Sequence, residues 1–554
     1  MSTSVTVLAA ALLLSSAISL TPAAAAQDAP PAQLVGLDAR VEAVRDTFKV
    51  PGIAVAVVKD GEVVFAGGWG QREVGKPGAV DADTLFSIAS ITKAFTSASL
   101  SILADEGKLK LDDRVIDHLP WFRMSDAYVT REMRIRDLLV HRSGLGLGAG
   151  DLLFWPPSDY STRDVVERLA QVPIEGGFRD RYAYDNVLYA VAQLVIEDVS
   201  GQPYADFVRE RLFVPVGMAD TRIDSNALRP SDTNVATGHA RPGFAGEPEP
   251  VPAMSWSNNT AAGGIYSSVN DMAKWMRVQL HGGVLDVGVP EGGVPGGADS
   301  RDDGAADGDD ARRLFSAKRH EAMWSLVTPI PVREPAVPEL AATKPNFAGY
   351  GEAWSLSDYR GQRLVWHTGG WPGMVSRLTL VPELDLGVVV LTNQEVGAAF
   401  NAITMHVLDA YMQAPETDWV AAYAAAIAKG GDKADEDWAK HRAARDARSK
   451  PSLPLAGYAD TYRDPWYGDV IVAEGRKGLE MRFSRTPQLV GDLEHWQHDS
   501  FIVRWRDRTL NADAFVDFSL DHDGKVREAR MEAVSPLTDF SFDFHDLRLA
   551  PSPD

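Results

Sequence analysis

The 554-residue chain contains no cysteine, which excludes disulfides, a thiolate nucleophile, cysteine-ligated metal and lipid attachment through an N-terminal cysteine. It is also short of positive charge. Against 77 Asp and Glu there are 55 Lys and Arg, a formal net charge of −22, which repels nucleic acid and anionic membrane surfaces at long range. Long apolar runs are missing beyond the N-terminus. The run Val5–Leu20 is shorter than the ~20 residues a membrane span requires. It is followed by Thr21-Pro22-Ala23-Ala24-Ala25-Ala26, a small-residue pattern of the kind signal peptidase cuts, although no Lys or Arg precedes it. This predicts an export signal over residues 1–26 and a soluble exported chain without a membrane span, periplasmic if the source is Gram-negative. The remainder has the balance of a globular protein, 45% hydrophobic and 24% charged, and its length calls for two or three domains.

One stretch organises the rest: Leu85-Phe-Ser-Ile-Ala-Ser90-Ile-Thr-Lys93-Ala-Phe95. It reads as the start of a helix, with Asp81 and Asp83 ahead of it and small or apolar residues up to Leu100. Spacing of three places the Ser90 hydroxyl and the Lys93 amine on one face. Such a pair is a candidate nucleophile and base, because a serine attacks only when a neighbour takes its proton, and a lysine can do so once burial strips its charge. Free backbone N–H groups at a helix start also favour the negative charge that develops in acyl transfer. The same residues fit an ordinary helix with a capping serine and a solvated lysine, but Ser90 is the only serine followed three residues later by lysine.

Along the chain, apolar spacing predicts a helix over Leu37–Phe48, then two strands, Gly52–Val58 and Glu62–Phe65, joined at Asp60-Gly61. Gly70 to Lys76 nearly spells a phosphate-binding loop, yet Pro77 stands where a hydroxyl must ligate magnesium. Ile135–Gly144 reads as a short helix, and Gly144-Leu-Gly-Leu-Gly-Ala-Gly150 as a flexible connection. Trp155-Pro-Pro157 with Tyr160 is either surface packing or a cleft wall. Further helices are expected over Val187–Ser200, Asp271–Leu280 and Phe400–Met412, with strands from Leu364 through His367 and over Ser376–Val381 and Gly387–Thr392. Residues 282–313, rich in Gly, Asp, Pro and Ala, read as a mobile acidic insertion. A helical linker over 416–454 ends at Pro451-Ser-Leu-Pro454. Short strands follow to Leu549, the last over Phe540–Leu549, which suggests a small barrel or sandwich over 455–554. Within it, Asp521-His-Asp-Gly524 resembles a metal loop but sits where a hairpin turn belongs.

Three motifs occur in order: Ser90-x-x-Lys93, Tyr184-x-Asn186 and His367-Thr368-Gly369. Together with His141-Arg-Ser-Gly-Leu145, Pro215-Val-Gly-Met218 and Gly263-Gly264, they resemble the serine β-lactamase and penicillin-binding-protein superfamily, in particular its class C β-lactamase-like group. The resemblance runs from about Leu37 to Met412. It implies an α+β fold, with an antiparallel sheet flanked by helices beside an all-helical lobe, over 27–415. The all-β tail resembles accessory domains of such hydrolases.

Carried over position by position, the family pattern makes Ser90 the acylated nucleophile, Lys93 its partner and Tyr184 the general base, held as phenolate or near it by Lys93. Asn186 would hold a substrate amide or carbonyl, and His367, Thr368 and Gly369 would line the substrate. The N–H groups of Ser90 and Gly370 would form the oxyanion hole, with no metal or cofactor. Penicillin targets usually carry Lys at the position of His367, so a histidine that is charged only part of the time turns the expectation toward an esterase or a D-amino-acid or peptidoglycan-type peptidase. A β-lactamase or DD-carboxypeptidase is the alternative, and a non-catalytic sensor keeping the fold is the rival from another class. Asp185 either caps the following helix or meets a substrate amine.

Overall fold

The computed structural model describes residues 31–229, 231–285, 312–476 and 478–552. The expected export signal over 1–26, and nearly all of the expected acidic insertion, lie outside the described residues. The helices used below are α1 (Leu37–Phe48), α2 (Thr92–Asp105), α3 (Val187–Ser200), α4 (Val269–Leu280), α5 (Gly397–Tyr411) and α6 (Trp419–Ala444). In the first domain, leaving aside the short pair His239–Ala240 and Glu249–Pro250, the strands are β1 (Gly52–Lys59), β2 (Glu62–Gly70), β3 (Phe86–Ser87), β4 (Arg222–Ile223), β5 (Ile265–Ser267), β6 (Thr328–Pro329), β7 (Ala348–Tyr350), β8 (Ser355–Tyr359), β9 (Gln362–Trp371), β10 (Met374–Val381) and β11 (Leu386–Thr392). The second domain adds β12 (Asp460–Asp464), β13 (Gly468–Gly475), β14 (Gly478–Phe483), β15 (Val490–Gln497), β16 (Ser500–Trp505), β17 (Ala514–Leu520), β18 (Val526–Ala533) and β19 (Ala550–Pro551).

The run Gly52-Ile-Ala-Val-Ala-Val-Val58 is apolar at every position because both faces of its strand are covered. Ile53, Val55 and Val57 join α1 and α5 in one core, whereas Ala54, Ala56 and Val58 belong to the core that holds α2 and α4. The eight-stranded sheet runs β2-β1-β11-β10-β9-β8-β7-β6, antiparallel at each pairing. Beside it lies the helical lobe, in which α2 is buried from Thr92 through Leu103. Phe95 of α2 stacks on Trp275 of α4 at 4.0 Å between centroids. Full burial of α2 fixes the orientation of every side chain near its N-terminus, Lys93 included.

The C-terminal sheet runs β18-β17-β16-β15-β14-β13-β12-β19. It closes into a nearly complete barrel where Ala529 and Leu549 exchange backbone hydrogen bonds of 2.8 and 3.2 Å. Tyr462, Phe483, Phe501, Trp505, Phe518 and Phe544 fill the interior. Gly524 has φ +75° in the turn between β17 and β18, so Asp521–Gly524 is the hairpin expected from its sequence.

The helical linker α6 straps the two domains together. Its 26 residues span about 39 Å. At its start, the Trp419 indole donates to Asp409 of α5 at 2.9 Å. Toward its end, Trp438 packs on Trp496 and His441 on Phe515 of the barrel, both at 5.3 Å. In the tail one strand went unread and one expected strand is absent. Val490–Gln497 is a strand that its polar sequence conceals, and Phe540–Leu549 is not a strand but an irregular segment with a single 3-10 turn at Phe544–Asp546.

Candidate active site

Ser90 sits in a tight 3-10 turn, Ala89–Ile91, directly before α2. Several anchors hold that turn. Ile88 N–H donates to Ile265 O of β5 at 2.9 Å, and Ser376 Oγ of β10 donates to Ile88 O at 2.8 Å. Ala89 adopts φ +47°, the left-handed region that non-glycine residues avoid, so the surrounding contacts impose the turn on the sequence.

The Lys93 amine, wholly buried, donates to Ser90 Oγ at 2.9 Å, Asn186 Oδ1 at 2.7 Å and Ala262 O at 2.9 Å. Burial pulls its pKa down to about 7, against the attraction of Asp151 and Asp185 for the cation. A lysine in this state holds a large neutral fraction near pH 7 while touching the serine oxygen. That is what deprotonation of Ser90 requires.

Tyr184 lies over the same amine, with Lys93 Nζ 4.9 Å from its ring centroid. Burial pushes its pKa well above 10, outweighing a hydrogen-bond interaction with Ser90. Burial thus works against the phenolate implied by the family resemblance and favours the neutral phenol. His141 packs on its ring at 4.1 Å.

Two of the family-implied substrate contacts are already engaged by protein. The Asn186 amide spends its oxygen on Lys93 and its nitrogen on Asp151 Oδ2, 2.8 Å away, and is 3% exposed. Both ends of the amide therefore have protein partners in this structure, the lysine among them. His367 Nδ1 faces Thr368 O at 2.6 Å, and a carbonyl only accepts, so Nδ1 carries the proton and Nε2 takes the Tyr350 hydroxyl at 2.7 Å. Burial and the nearby Lys93 bring the His367 pKa down to about 3, so this histidine is neutral throughout the physiological range. Asp185 fulfils neither expectation. It is fully buried, accepts from Ser143 Oγ at 2.7 Å, and its N–H donates to His141 Nδ1 at 3.2 Å.

Strand β9 carries Thr368, Gly369 and Gly370 past the nucleophile turn. A Cβ on Gly369 would meet Ile88 O at 2.3 Å and Ser376 Oγ at 2.4 Å, whereas Gly370 is exposed with open space around it. Close approach at one glycine thus leaves room at the next. Gly369→Ala must push β9 off the turn, and turnover is expected to fall roughly 100-fold with an unchanged far-UV circular dichroism spectrum. Wild-type turnover in that variant would mean the approach has no catalytic consequence.

Beyond Gly370 and Trp371 opens a cleft of about 1220 Å³ between the two domains, walled by Trp155, Pro156, Met254 and Phe542 among others. Trp155-Pro156 is thereby a cleft wall, while the Tyr160 hydroxyl instead donates to Tyr467 O of the barrel. Two carboxyls that line the cleft, Glu395 and Asp539, have raised pKa values because protein surrounds them, Glu395 up to about 7. Neither forms a salt bridge among the described residues. Arg504 also lines the cleft but is tied to Glu494 and Asp513. Among the described residues, no group of three His, Asp or Glu is placed to hold a metal ion, and no helix is long and apolar enough to cross a membrane.

An antiparallel sheet, a helical lobe and a serine–lysine pair at their junction define a serine hydrolase of the β-lactamase type. The chain belongs to the β-lactamase family, whose model matches residues 37–412. Residues 444–551 match a domain of unknown function, DUF3471. An unguisins hydrolase of Aspergillus campestris is 28% identical over 464 residues, 77% of this chain and 75% of that protein. Penicillin-binding protein 4 of Amycolatopsis lactamdurans is 30% identical over 65% of this chain and 85% of its own length. In fold, the chain is similar to an octameric penicillin-binding protein homologue from Pyrococcus abyssi, with a TM-score of 0.55 at 20% identity over 93% of this chain and 99% of that one. A D-amino acid amidase from Ochrobactrum anthropi gives 0.53 at 22%, over 68% and 99%.

Sequence reasoning missed Asp151, Tyr350, Glu395, Asp539 and everything that 539–543 brings to the site. It also misjudged Gly144–Gly150, which is buried except at Leu147 and is pinned from both sides. Glycine density there serves close packing: Gly148 has φ +72°, and a Cβ on it would meet Phe540 O at 2.7 Å.

Proposed function

We propose that the protein is an exported hydrolase that cleaves an ester or amide bond through an acyl-enzyme on Ser90, as an esterase or a D-amino-acid or peptidoglycan-type peptidase. The observation that carries this reading is the 2.9 Å contact between Ser90 Oγ and a buried amine brought down to about 7. As Oγ bonds to the substrate carbonyl carbon, its proton passes to neutral Lys93, and the carbonyl oxygen becomes an anion held by the N–H groups of Ser90 and Gly370. Tyr184, a phenol at rest, gives its proton to the departing alcohol or amine as the C–O or C–N bond breaks, and is reprotonated from Lys93. Water then attacks the ester by the reverse path, its proton returning to Ser90, and acid is released.

The electrostatics support the substrate class. A neutral His367 offers no fixed cation to a substrate carboxylate, and Glu395 and Asp539 border the cleft, so uncharged or amine-bearing substrates are favoured over the carboxylate-bearing β-lactams. The test is fluorophosphonate labelling read by peptide mass, followed by nitrocefin, short-chain p-nitrophenyl esters and D-amino-acid amides. The expected result is one adduct on the Ser90 peptide, and ester or amide turnover well above that of nitrocefin. Efficient nitrocefin hydrolysis would favour the β-lactamase alternative, and a folded protein that takes no adduct would favour the ligand-binding rival.

A further inference from the structure

Between β18 and β19 the chain leaves the barrel and enters the catalytic domain. Phe540 sets its ring edge-on to Tyr184, with centroids 5.9 Å apart and planes at 81°. Ser541 Oγ donates to Asp151 Oδ2 at 2.8 Å. The Asp543 carboxylate accepts the N–H groups of Gly150 at 2.7 Å and Leu152 at 3.1 Å, one on each side of Asp151. The segment is braced in turn, since Ser541 N–H donates to Asp539 Oδ1 at 2.8 Å. Ser541, Asp543 and Asp151 are all buried.

These contacts form one end of a continuous chain. Asp151 Oδ2 also accepts Asn186 Nδ2, Asn186 Oδ1 accepts Lys93 Nζ, and Lys93 reaches Ser90. An asparagine amide can face either way. With a hydroxyl donating to Oδ2, that oxygen is kept an acceptor, so Asn186 turns its NH2 to Asp151 and its oxygen to the lysine. Asp543 holds the backbone that carries Asp151. The orientation of the lysine's partner is thus set from the other domain.

We propose that Ser541 and Asp543 of the C-terminal domain are positioning residues of the acyl-transfer centre, acting on Lys93 through Asp151 and Asn186. The β-lactamase-like domain is then incomplete without the barrel's segment. This inference rests on the hydrolase reading above.

The electrostatics supply a signature that a merely structural role lacks. Around Lys93 stand Asp151, Asp185, His141, His367, Tyr184 and Tyr189, and of these Ser541 touches Asp151. Burial raises the Asp151 pKa to about 8, and the Ser541 hydrogen bond works against that rise, while neighbouring Asp539 adds to it. Losing the hydroxyl makes Asp151 harder to ionise. Its pull on the Lys93 cation weakens, and the amine is freed of its proton at lower pH.

The experiment uses the full-length chain with Ser541→Ala, Ser541→Thr and Asp543→Asn. It measures the rate of fluorophosphonate labelling against pH, kcat and KM on the best ester or amide from the panel, and the melting temperature. For Ser541→Ala, labelling rate and kcat should fall roughly tenfold, KM should stay within about twofold, and the acidic midpoint of the profile should move to lower pH. Ser541→Thr, which keeps a hydroxyl, should restore both rate and midpoint. Asp543→Asn should lower kcat in the same way; if it fails to fold, the Ser541 pair decides. A labelled wild type beside a Ser541→Ala protein of unchanged rate and midpoint, or one altered only in KM, overturns the positioning role and leaves the hydrolase reading standing. A folded wild type that takes no label overturns both.

Discussion

Lys93→Met is expected to lower kcat by roughly 10³- to 10⁴-fold while the protein stays folded. Methionine matches the lysine stem in length and removes the group whose burial is costly. The substitution leaves Asn186 Oδ1, Ala262 O and Ser90 Oγ without their common donor. An unpaired buried acceptor costs about 1–3 kcal/mol, and relief from burying an ionisable amine works in the opposite direction. These terms offset, so the melting temperature should move by only a few degrees while activity collapses. A cation fixed by salt bridges would behave differently, since removing one partner leaves an unpaired buried charge; among the described residues no carboxylate touches Nζ directly. Unfolding on substitution would show that Lys93 is held charged and structural.

The wild-type pH profile checks the same claim from the other side. Activity that needs the neutral amine must rise with pH through about 7, where Lys93 gives up its proton. His367, brought down to about 3, cannot supply that limb, and Tyr184, pushed well above 10, cannot either. The limb is shared by Lys93 with two buried carboxyls that titrate in the same range, Asp151, raised to about 8, and Glu395 at the cleft, raised to about 7. The measurement is kcat/KM from pH 5 to 9. A flat profile across that range would remove the lysine from the proton path.

How much of this was legible in the sequence depends on how local each signal was. Ser90 and Lys93 are three residues apart in one helix, so their meeting follows from helical geometry alone. Helix α1 and strand β1 were readable because tertiary packing agrees with the local pattern there. The segment 540–549 was misread for an instructive reason. Phe540, Phe542 and Phe544 alternate as in a strand, but their surroundings differ: Phe540 meets the Tyr184 ring, Phe542 lies at the interdomain cleft and against Phe544, and Phe544 sits in the barrel interior beside Trp505. Period two therefore arose without a sheet. Asp151, 35 residues from Asn186 and 390 from Ser541, gives no local sign of its partners. The Gly144–Gly150 run read as a flexible connection because composition cannot distinguish glycines that permit motion from glycines that permit contact.

Ser90→Ala should remove on the order of 10⁴-fold or more of kcat, and its combination with Lys93→Met is more informative than either change alone. If the lysine acts only by taking the serine proton, it has nothing to do once the hydroxyl is gone. The double variant should then sit at the floor set by Ser90→Ala, far above the product of the two separate losses. A Lys93 that also held substrate through its charge would lower the double variant further. Ser90 is 9% exposed, and its hydroxyl contacts the amine and lies against the Tyr184 phenol. Truncation opens a space of about one oxygen atom, which leaves little reason for the fold to change. The decisive quantity is the coupling between the two positions, read as kcat of wild type, both single variants and the double variant at one pH above 7. Coupling nearly as large as the smaller single effect identifies serine and lysine as one chemical unit, whereas additive losses would separate them and return Lys93 to a structural role.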